Sequence, residues 1–470
     1  MKKTLLLWPP LFSAFLVAIF CIWALAQHGT MGMLRMNDAP RLACIAIGLA
    51  VVAVVIAGVL GMLLKSKGRV RLGRFIAVIA FAASLPYLFG VPIAFAVLGG
   101  VIQPNIGDTP PQLFITSGTG VHGIPDLAVT FNTAKATQNT IVWGKPTDVD
   151  KEVAVIESTP TRTHAFLLPD LEPDTDYYYR LEDGESYTFH TAAINGPMRF
   201  AIGSDAHYGS AARQVDASRA MLSQIADPRN TFNYFFLIGD TVQWGFLKSH
   251  WSEAFSELAQ ASAVVPSRLI PGNHDTMFSG FGNYLRYAYP DGLPLGNGNK
   301  LWTRLDVGHV HFIIIDMEWS AEAFTDEQAA WLERELRDVP AGDWKIVLSH
   351  GFTYASGVES DDWRRHDNPE TIARLTPLFE KYQVDMVFSG HNHQMEILAK
   401  SGVTYVLSAP FGGVPSATRT YVSPYSLWYE SGQYGFADVT ITGDEAVVII
   451  RTSDGSEIHR HNVTKGGSLS

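Results

Sequence analysis

Five short segments of this 470-residue chain place metal-ligand side chains next to glycine or just past an apolar run. They are Gly203-Ser-Asp205-Ala-His207, Gly239-Asp240, Pro271-Gly272-Asn273-His274-Asp275, Leu348-Ser349-His350 and Gly390-His391-Asn392-His393. Carboxylate, imidazole and amide oxygen are the donors that divalent transition ions accept. Taken singly, each segment is weak. An Asp after a strand usually caps a turn, and a lone His is usually structural. Taken in order, each follows a β-type run: 198–205, 234–240, a short apolar run before Pro271, 344–350 and 385–391. In open α/β sheets, residues just past the carboxyl ends of strands converge on one crevice. The pattern therefore predicts one site assembled from five distant places.

The elements that must position these residues form an α/β domain over 196–460, with a further strand at 311–316. Helical patterns at 212–226, 325–338 and 370–382 alternate with the strands, and Thr325 with Gln328 makes a capping box. Runs at 435–441 and 446–452 read as a closing hairpin, and 461–470 as a flexible tail. Upstream, residues 112–195 hold only short β-rich runs, at 127–131, 139–143, 152–156, 163–167, 176–181 and 186–190. Turn residues separate them, which predicts an all-β sandwich acting as a spacer or as a wall of the neighbouring cleft. No internal repeat is found. A Pro-rich linker, 101–111, precedes the sandwich.

The hydrophobic fraction of 47% is concentrated at the N-terminus. Residues 4–26, 42–64 and 75–99 each hold about the 20 apolar residues that a helix needs to cross a bilayer. Lys2 and Lys3 precede the first run, and Lys65, Lys67, Arg69, Arg71 and Arg74 separate the second from the third. The positive-inside rule puts both basic segments in the cytoplasm, so everything after about residue 100 is expected outside it. The first run also resembles a signal peptide, but it is long for one, and cleavage would leave the final placement unchanged. Residues 1–109 are thus expected to be a three-helix membrane anchor (1–100) and part of its linker. They hold nine of the 35 Lys/Arg and two of the 46 Asp/Glu, so the remainder carries a net −18. That charge argues against a nucleic-acid partner. Cys21 and Cys44 both lie in the apolar runs, which leaves the outer part without disulfides.

The five segments, read as DxH, GD, GNHD, a lone H and GHxH, resemble the motif set of the calcineurin-like metallophosphoesterases. The resemblance implies a β-sandwich flanked by helices and a phosphate-ester substrate. It also implies two divalent ions, one held by Asp205, His207, Asp240 and His393, the other by Asp240, Asn273, His350 and His391. Asp240 would bridge them. Such a pair lowers the pKa of a shared water and holds phosphoryl oxygens for in-line attack. His274 is the expected proton donor to the leaving oxygen, with Asp275 orienting its ring. Leu171-Glu-Pro-Asp-Thr-Asp-Tyr-Tyr-Tyr-Arg180 resembles a fibronectin type III corner, and in particular the N-terminal module of purple acid phosphatases. Two positions depart from that subgroup. Gln243 stands where it has the tyrosine of GDxxY, and His207 where it has the glycine of DxG. Mn, Fe(II) or Zn is therefore expected rather than ferric iron. Arg364 and Arg365, in an irregular stretch after His350, could clamp a phosphate. His309 and His311 also read GHxH but precede their strand, and with His459 and His461 they are expected to bind no metal. The expectation is a membrane-anchored, extracytoplasmic phosphoesterase, with a monoester slightly favoured. The alternatives are a phosphodiesterase acting on lipid head groups or nucleotides, and a non-catalytic metal-binding receptor or scaffold.

Overall fold

The computed structural model describes residues 105–181, 184–277, 280–288, 301–321, 323–358, 366–416 and 419–466. The three apolar runs, and Arg364 and Arg365, lie outside the described residues. Among those described, no helix is long and apolar enough to cross a membrane. The chain divides into two compact units, and apart from the helix residues Lys248, Thr276, Phe281 and Gly282 all that follows concerns the one formed by Asn105–Gly245, Ser249–Asp275 and Asn283–Ser470.

Seven strands occupy residues 112–190: β1 Gln112–Ile115, β2 Leu127–Thr137, β3 Thr140–Gly144, β4 Val153–Ile156, β5 Thr161–Leu168, β6 Asp176–Leu181 and β7 Ser186–His190. Four form an antiparallel sheet in the order β4-β3-β6-β7. The other three do not make a separate sheet. β1 pairs in parallel with β10 (Ser267–Ile270), so β1, β2 and β5 extend a nine-stranded sheet, β20-β19-β18-β8-β9-β10-β1-β2-β5. Its remaining strands are β8 Met198–Gly203, β9 Tyr234–Ile238, β18 Gly435–Thr442, β19 Glu445–Thr452 and β20 Glu457–Thr464. Side chains reinforce the join. Arg268 donates to Ile115 O at 2.8 Å, Gln112 to Phe255 O at 3.0 Å and Tyr179 to Ala263 O at 2.8 Å. The segment expected as a possible spacer is hydrogen-bonded into the main sheet. The expected flexible tail is corrected too, since residues 461–464 belong to β20, whose ladder on β19 satisfies their backbone.

A seven-stranded sheet faces the first. It contains β11 Thr303–Val307, β12 Val310–Ile314, β13 Trp344–Leu348, β14 Met386–Ser389, β15 Met395–Lys400, β16 Val403–Ser408 and β17 Ser426–Glu430, in the order β11-β12-β13-β14-β16-β15-β17. The central strands of both sheets are parallel and buried on both faces, which is why they read as continuous apolar runs. The two-residue period of a strand sorts their side chains. Trp344, Ile346 and Leu348 of β13 join Tyr234, Phe236 and Ile238 of β9 in the core between the sheets. Val347 faces the other way, into a second core against helices. Phe312 joins the layers, with ring centroids 5.1 Å from Phe200 and 4.9 Å from Phe236.

The helices are α1 Val215–Ala226, α2 Lys248–Ser262, α3 Asn273–Thr276, α4 Phe281–Tyr287, α5 Asp326–Asp338 and α6 Pro369–Lys381. Leu332 and Leu336 of α5 and Leu375 and Phe379 of α6 cover the outer face of the seven-stranded sheet. Only half of the expected capping box forms. Thr325 accepts from Gln328 N, but the Gln328 amide turns inward to Asp316 N, Asp316 O and Ala323 O.

Candidate metal centre

Every expected donor sits within a few residues of the carboxyl end of a parallel strand. Asp205 and His207 follow β8, Asp240 follows β9 and Asn273 follows β10. His350 follows β13, while His391 and His393 follow β14. Three of these strands belong to one sheet and two to the other, so the donors meet where the parallel strands of both sheets end. Turning the chain there needs unusual backbone. Asp205, His207, Asp240 and His391 all have φ between 49° and 68°, a left-handed conformation that costs energy outside glycine. Close approach demands glycine at Gly239, where a Cβ would lie 2.2 Å from His350 Nδ1. Main-chain bonds lock the loops together: Asp205 N to Gly239 O at 3.0 Å, His207 N to Asp240 O at 3.0 Å and Gly390 N to His350 O at 2.9 Å.

The donor atoms fall into overlapping groups. The ligand atoms of Asp205, His207 and His393 lie within 4.8 Å of one another, as do those of Asp240, His350 and His391, and a third group of His207, Asp240 and His274 links the two. Within the first group His207 Nε2 is 3.1 Å from His393 Nε2, and His393 Nε2 is 3.2 Å from Asp205 Oδ1. Donors about 2 Å from one ion have mutual separations of about 3 Å, so these edges fit a coordination shell. Asp240 faces both groups. Its Oδ2 is 3.7 Å from His207 Nε2 and its Oδ1 is 3.4 Å from His350 Nε2. Asn273 Oδ1 sits 3.1 Å from His391 Nδ1, beside the second group.

The rings are aimed by carbonyl oxygens, which can only accept. His350 Nδ1–H donates to Ile238 O at 3.0 Å, and His393 Nδ1–H to Val414 O at 2.5 Å, which leaves each Nε2 lone pair for the site. Among the described residues, buried Asp205 Oδ1 and His350 Nε2 find no hydrogen-bond partner, an arrangement that a metal ligand explains. Burial disfavours charge on both Asp205 and Asp240, but the surrounding imidazoles outweigh it and hold both carboxyls below the usual range. Burial also opposes a charge on His350, but the Asp240 and Asp205 carboxylates raise it to about 10. The field that favours a proton there favours a divalent cation equally well. The residues present therefore fit a pair of divalent ions.

His274 lies against this centre, its ring 4.7 Å from that of His207, and its backbone N–H donates to Asp240 Oδ1 at 2.8 Å. The expected role of Asp275 is corrected. Its carboxylate accepts the backbone N–H groups of Val242 at 2.9 Å, Gly272 at 2.9 Å and Thr241 at 3.2 Å, and so ties the loop after β9 to the loop after β10. The acceptor that orients His274 is the Gln243 carbonyl, 2.8 Å from Nδ1. Gln243 drew attention in the sequence only for not being tyrosine, and a main-chain acceptor leaves no mark on residue type. The aromatic walls were also missed: Trp244 lies 5.4 Å from the His274 ring, and Trp319 5.2 Å from that of His391. Trp319 stands shortly after β12, so the rule that found the ligands could have found it.

The decoy histidines are accounted for. His311 places Nδ1 2.7 Å from Asp306 and Nε2 3.1 Å from Asp343, while His309 pairs with Asp343 at 2.9 Å. His459 stacks on Trp428 with centroids 4.5 Å apart.

A family model described as calcineurin-like phosphoesterase matches residues 198–395. Purple acid phosphatase 18 of Arabidopsis thaliana is 26% identical over 301 residues, which cover 59% of this chain and 65% of that protein. Acid phosphatase type 7 of Mus musculus is 30% identical over 260 residues, 50% of this chain and 56% of that protein. The chain thus spans less than two thirds of the length of these two relatives. Among solved structures, a purple acid phosphatase from yellow lupin (Lupinus luteus) seeds matches with a TM-score of 0.65 at 18% identity. That match covers 77% of this chain and 75% of the other, and it is a likeness of fold.

Proposed function

We propose that this chain, whose residues 198–395 are a calcineurin-like phosphoesterase domain, hydrolyses phosphate esters, with monoesters favoured. The observation that carries the reading is Asp240, whose Oδ2 faces His207 and whose Oδ1 faces His350, so that it stands between the donors proposed for the two ions. Asp205, His207 and His393 with Asp240 would hold one divalent ion, and His350, His391 and Asn273 with Asp240 the other. When bound, such a pair supplies Lewis acidity to phosphoryl oxygens and acidifies water at neutral pH. The protein's own residues do the rest. Asp240 is held by the His274 backbone N–H. His274 keeps Nδ1–H on the Gln243 carbonyl, so Nε2 is the nitrogen that trades a proton with substrate. Water adds to phosphorus and gives up a proton to solvent, the bond from phosphorus to the alcohol oxygen breaks, and His274 protonates that oxygen and regains its own proton from solvent. A receptor or scaffold would need none of this proton-handling geometry, and the grouping of the seven candidate donors beside His274 supports the catalytic reading.

The partition of strands β1 to β7 into three and four supports reading 112–195 as a fibronectin type III-like sandwich. The charge asymmetry around residues 4–99 supports a membrane anchor with the catalytic domain outside the cytoplasm. Gln243 in place of a tyrosine, with His207 as a neutral donor, supports two divalent ions drawn from Mn, Fe(II) and Zn. The test uses the full-length protein in detergent, chelated and then reconstituted with each ion, against p-nitrophenyl phosphate and its bis ester. Activity should vanish on chelation and return with a divalent ion, without a visible tyrosinate-to-iron absorption band. Silence toward both esters with every ion would sink the proposal.

A further inference from the structure

We propose, resting on the phosphoesterase reading, that the cavity beside His393 seats the alcohol portion of the substrate and selects an apolar one. The cavity holds about 360 Å³. Val358, Val414 and Pro415 line it, with Asn392, His393, Gln394 and Ser416 as its polar members, and no Asp, Glu, Lys or Arg is among its described lining residues. It opens onto the metal centre through His393, whose Nε2 lies 3.2 Å from Asp205 Oδ1. In the proposal, the alcohol oxygen of a phosphoryl group seated on the donors faces His274, and the rest of the substituent runs on past His393 along this wall.

Several polar atoms of the wall are turned into the fold. Gln394 Nε2 donates to Ser356 O at 2.7 Å and Glu396 Oε2 at 2.9 Å. Gly357 N donates to Tyr421 O at 3.0 Å, and Gly357 O accepts from Tyr421 N and Thr420 N, both at 2.9 Å. His393 Nδ1 is committed to Val414 O. What the cavity presents is aliphatic, with Val358 38% and Val414 51% exposed. The other described walls of the centre, Trp244 and Trp319, are aromatic. A sugar or nucleoside would bring hydroxyls to a surface that offers few groups to bond them, Ser416 among them, whereas an alkyl chain gains by covering the two valines.

The experiment measures kcat/KM of the full-length, metal-reconstituted protein in detergent for methyl, butyl and hexyl phosphate, with glycerol 1-phosphate as the polar comparator. Leaving-group chemistry changes little along the alkyl series, so a slope reports contact. We expect a rise of about tenfold or more from methyl to hexyl, with glycerol 1-phosphate no better than methyl. Val358→Thr and Val414→Thr conserve shape, and each should cut the hexyl-to-methyl ratio severalfold. Val414→Thr tests the side chain alone, since its carbonyl remains. A flat series, a preference for glycerol 1-phosphate, or an unchanged ratio in both variants overturns the proposal. Turnover of p-nitrophenyl phosphate with a flat series overturns this inference alone, whereas no turnover of any ester overturns the phosphoesterase reading with it.

Discussion

Asp240 and His274 touch each other, yet removing them should have different consequences. Asp240→Asn replaces a carboxylate that faces both donor groups, so metal content and activity should fall together. His274→Ala leaves all seven donors in place and removes the proton donor. It should keep near-normal metal content while losing on the order of 10²–10⁴ in rate on a poor leaving group. Asp275→Asn belongs to neither class. It sets an amide against three backbone N–H groups, and the effect should be a lower urea midpoint, about 1–3 kcal/mol of stability, at normal metal stoichiometry. Elemental analysis beside urea titration separates the three. Full activity of His274→Ala on activated and poor esters alike would remove His274 from the mechanism. Far from the centre, Asp306 gives a pH-dependent prediction. Burial alone would raise its pKa, but hydrogen bonds from His311 and then Arg304 outweigh it and hold the carboxyl well below its ordinary value. A depressed folded pKa means stability present above the unfolded value, about 3.9, and lost as pH falls below it. Asp306→Asn should therefore be destabilised most at neutral pH, and its gap to the parent chain should narrow below about pH 4. A gap that stays constant into acid would refute the assignment.

Among the elements, α5 carries the clearest prediction, because its N-terminus is held by two different devices. Thr325 caps Gln328 N by the ordinary side-chain bond, and Thr325→Ala should cost about 1 kcal/mol. Gln328 is fully buried, and its amide satisfies Asp316 N, Asp316 O and Ala323 O, so it fastens the helix to the segment that follows β12. Gln328→Ala strips partners from several buried groups at once and should cost more than Thr325→Ala, about 2–4 kcal/mol. Equal urea midpoints for the two variants would mean that the inward bonds contribute nothing beyond the cap. The join between β1 and β10 works on the same logic. Arg268 crosses from β10 to the Ile115 carbonyl, so the upstream strands are anchored by a buried cation as well as by a ladder.

For the whole molecule, the open question is orientation. In the proposed topology, the basic residues between 65 and 74 and the part after residue 109, at net −18, would lie on opposite sides of the membrane. An alkaline phosphatase reporter fused at residue 110 should be active, and a fluorescent reporter that folds only in the cytoplasm should stay dark there. The reverse pattern would put the catalytic domain in the cytoplasm. An extracytoplasmic placement would also make local metal supply, rather than affinity order, the factor that selects the ion pair.

The donors were legible in the sequence because each lies within a few residues of a strand that identifies itself by a continuous apolar run. Asp205, His207, Asp240, Asn273, His350, His391 and His393 need only that local grammar and the rule that parallel strands end at one edge. Helix α2 escaped notice, although Trp251, Ala254, Phe255 and Leu258 keep helical spacing along Lys248–Ser262. Other features had no local signature. Whether a strand joins the first sheet or the second is settled by hydrogen bonds between residues far apart in the chain, as when β1 meets β10 across about 150 positions. The ring of His274 is aimed by a main-chain carbonyl, which every residue possesses and no residue type advertises. Asp275 looked like its partner because it is adjacent in sequence, but the loops after β9 and β10 bring the backbone N–H groups of Thr241, Val242 and Gly272 around it, and a buried carboxylate takes the donors that surround it. Residue type and local spacing determined which chemistry the chain can support. The tertiary structure decided which atom holds which, because that depends on where distant backbone ends up.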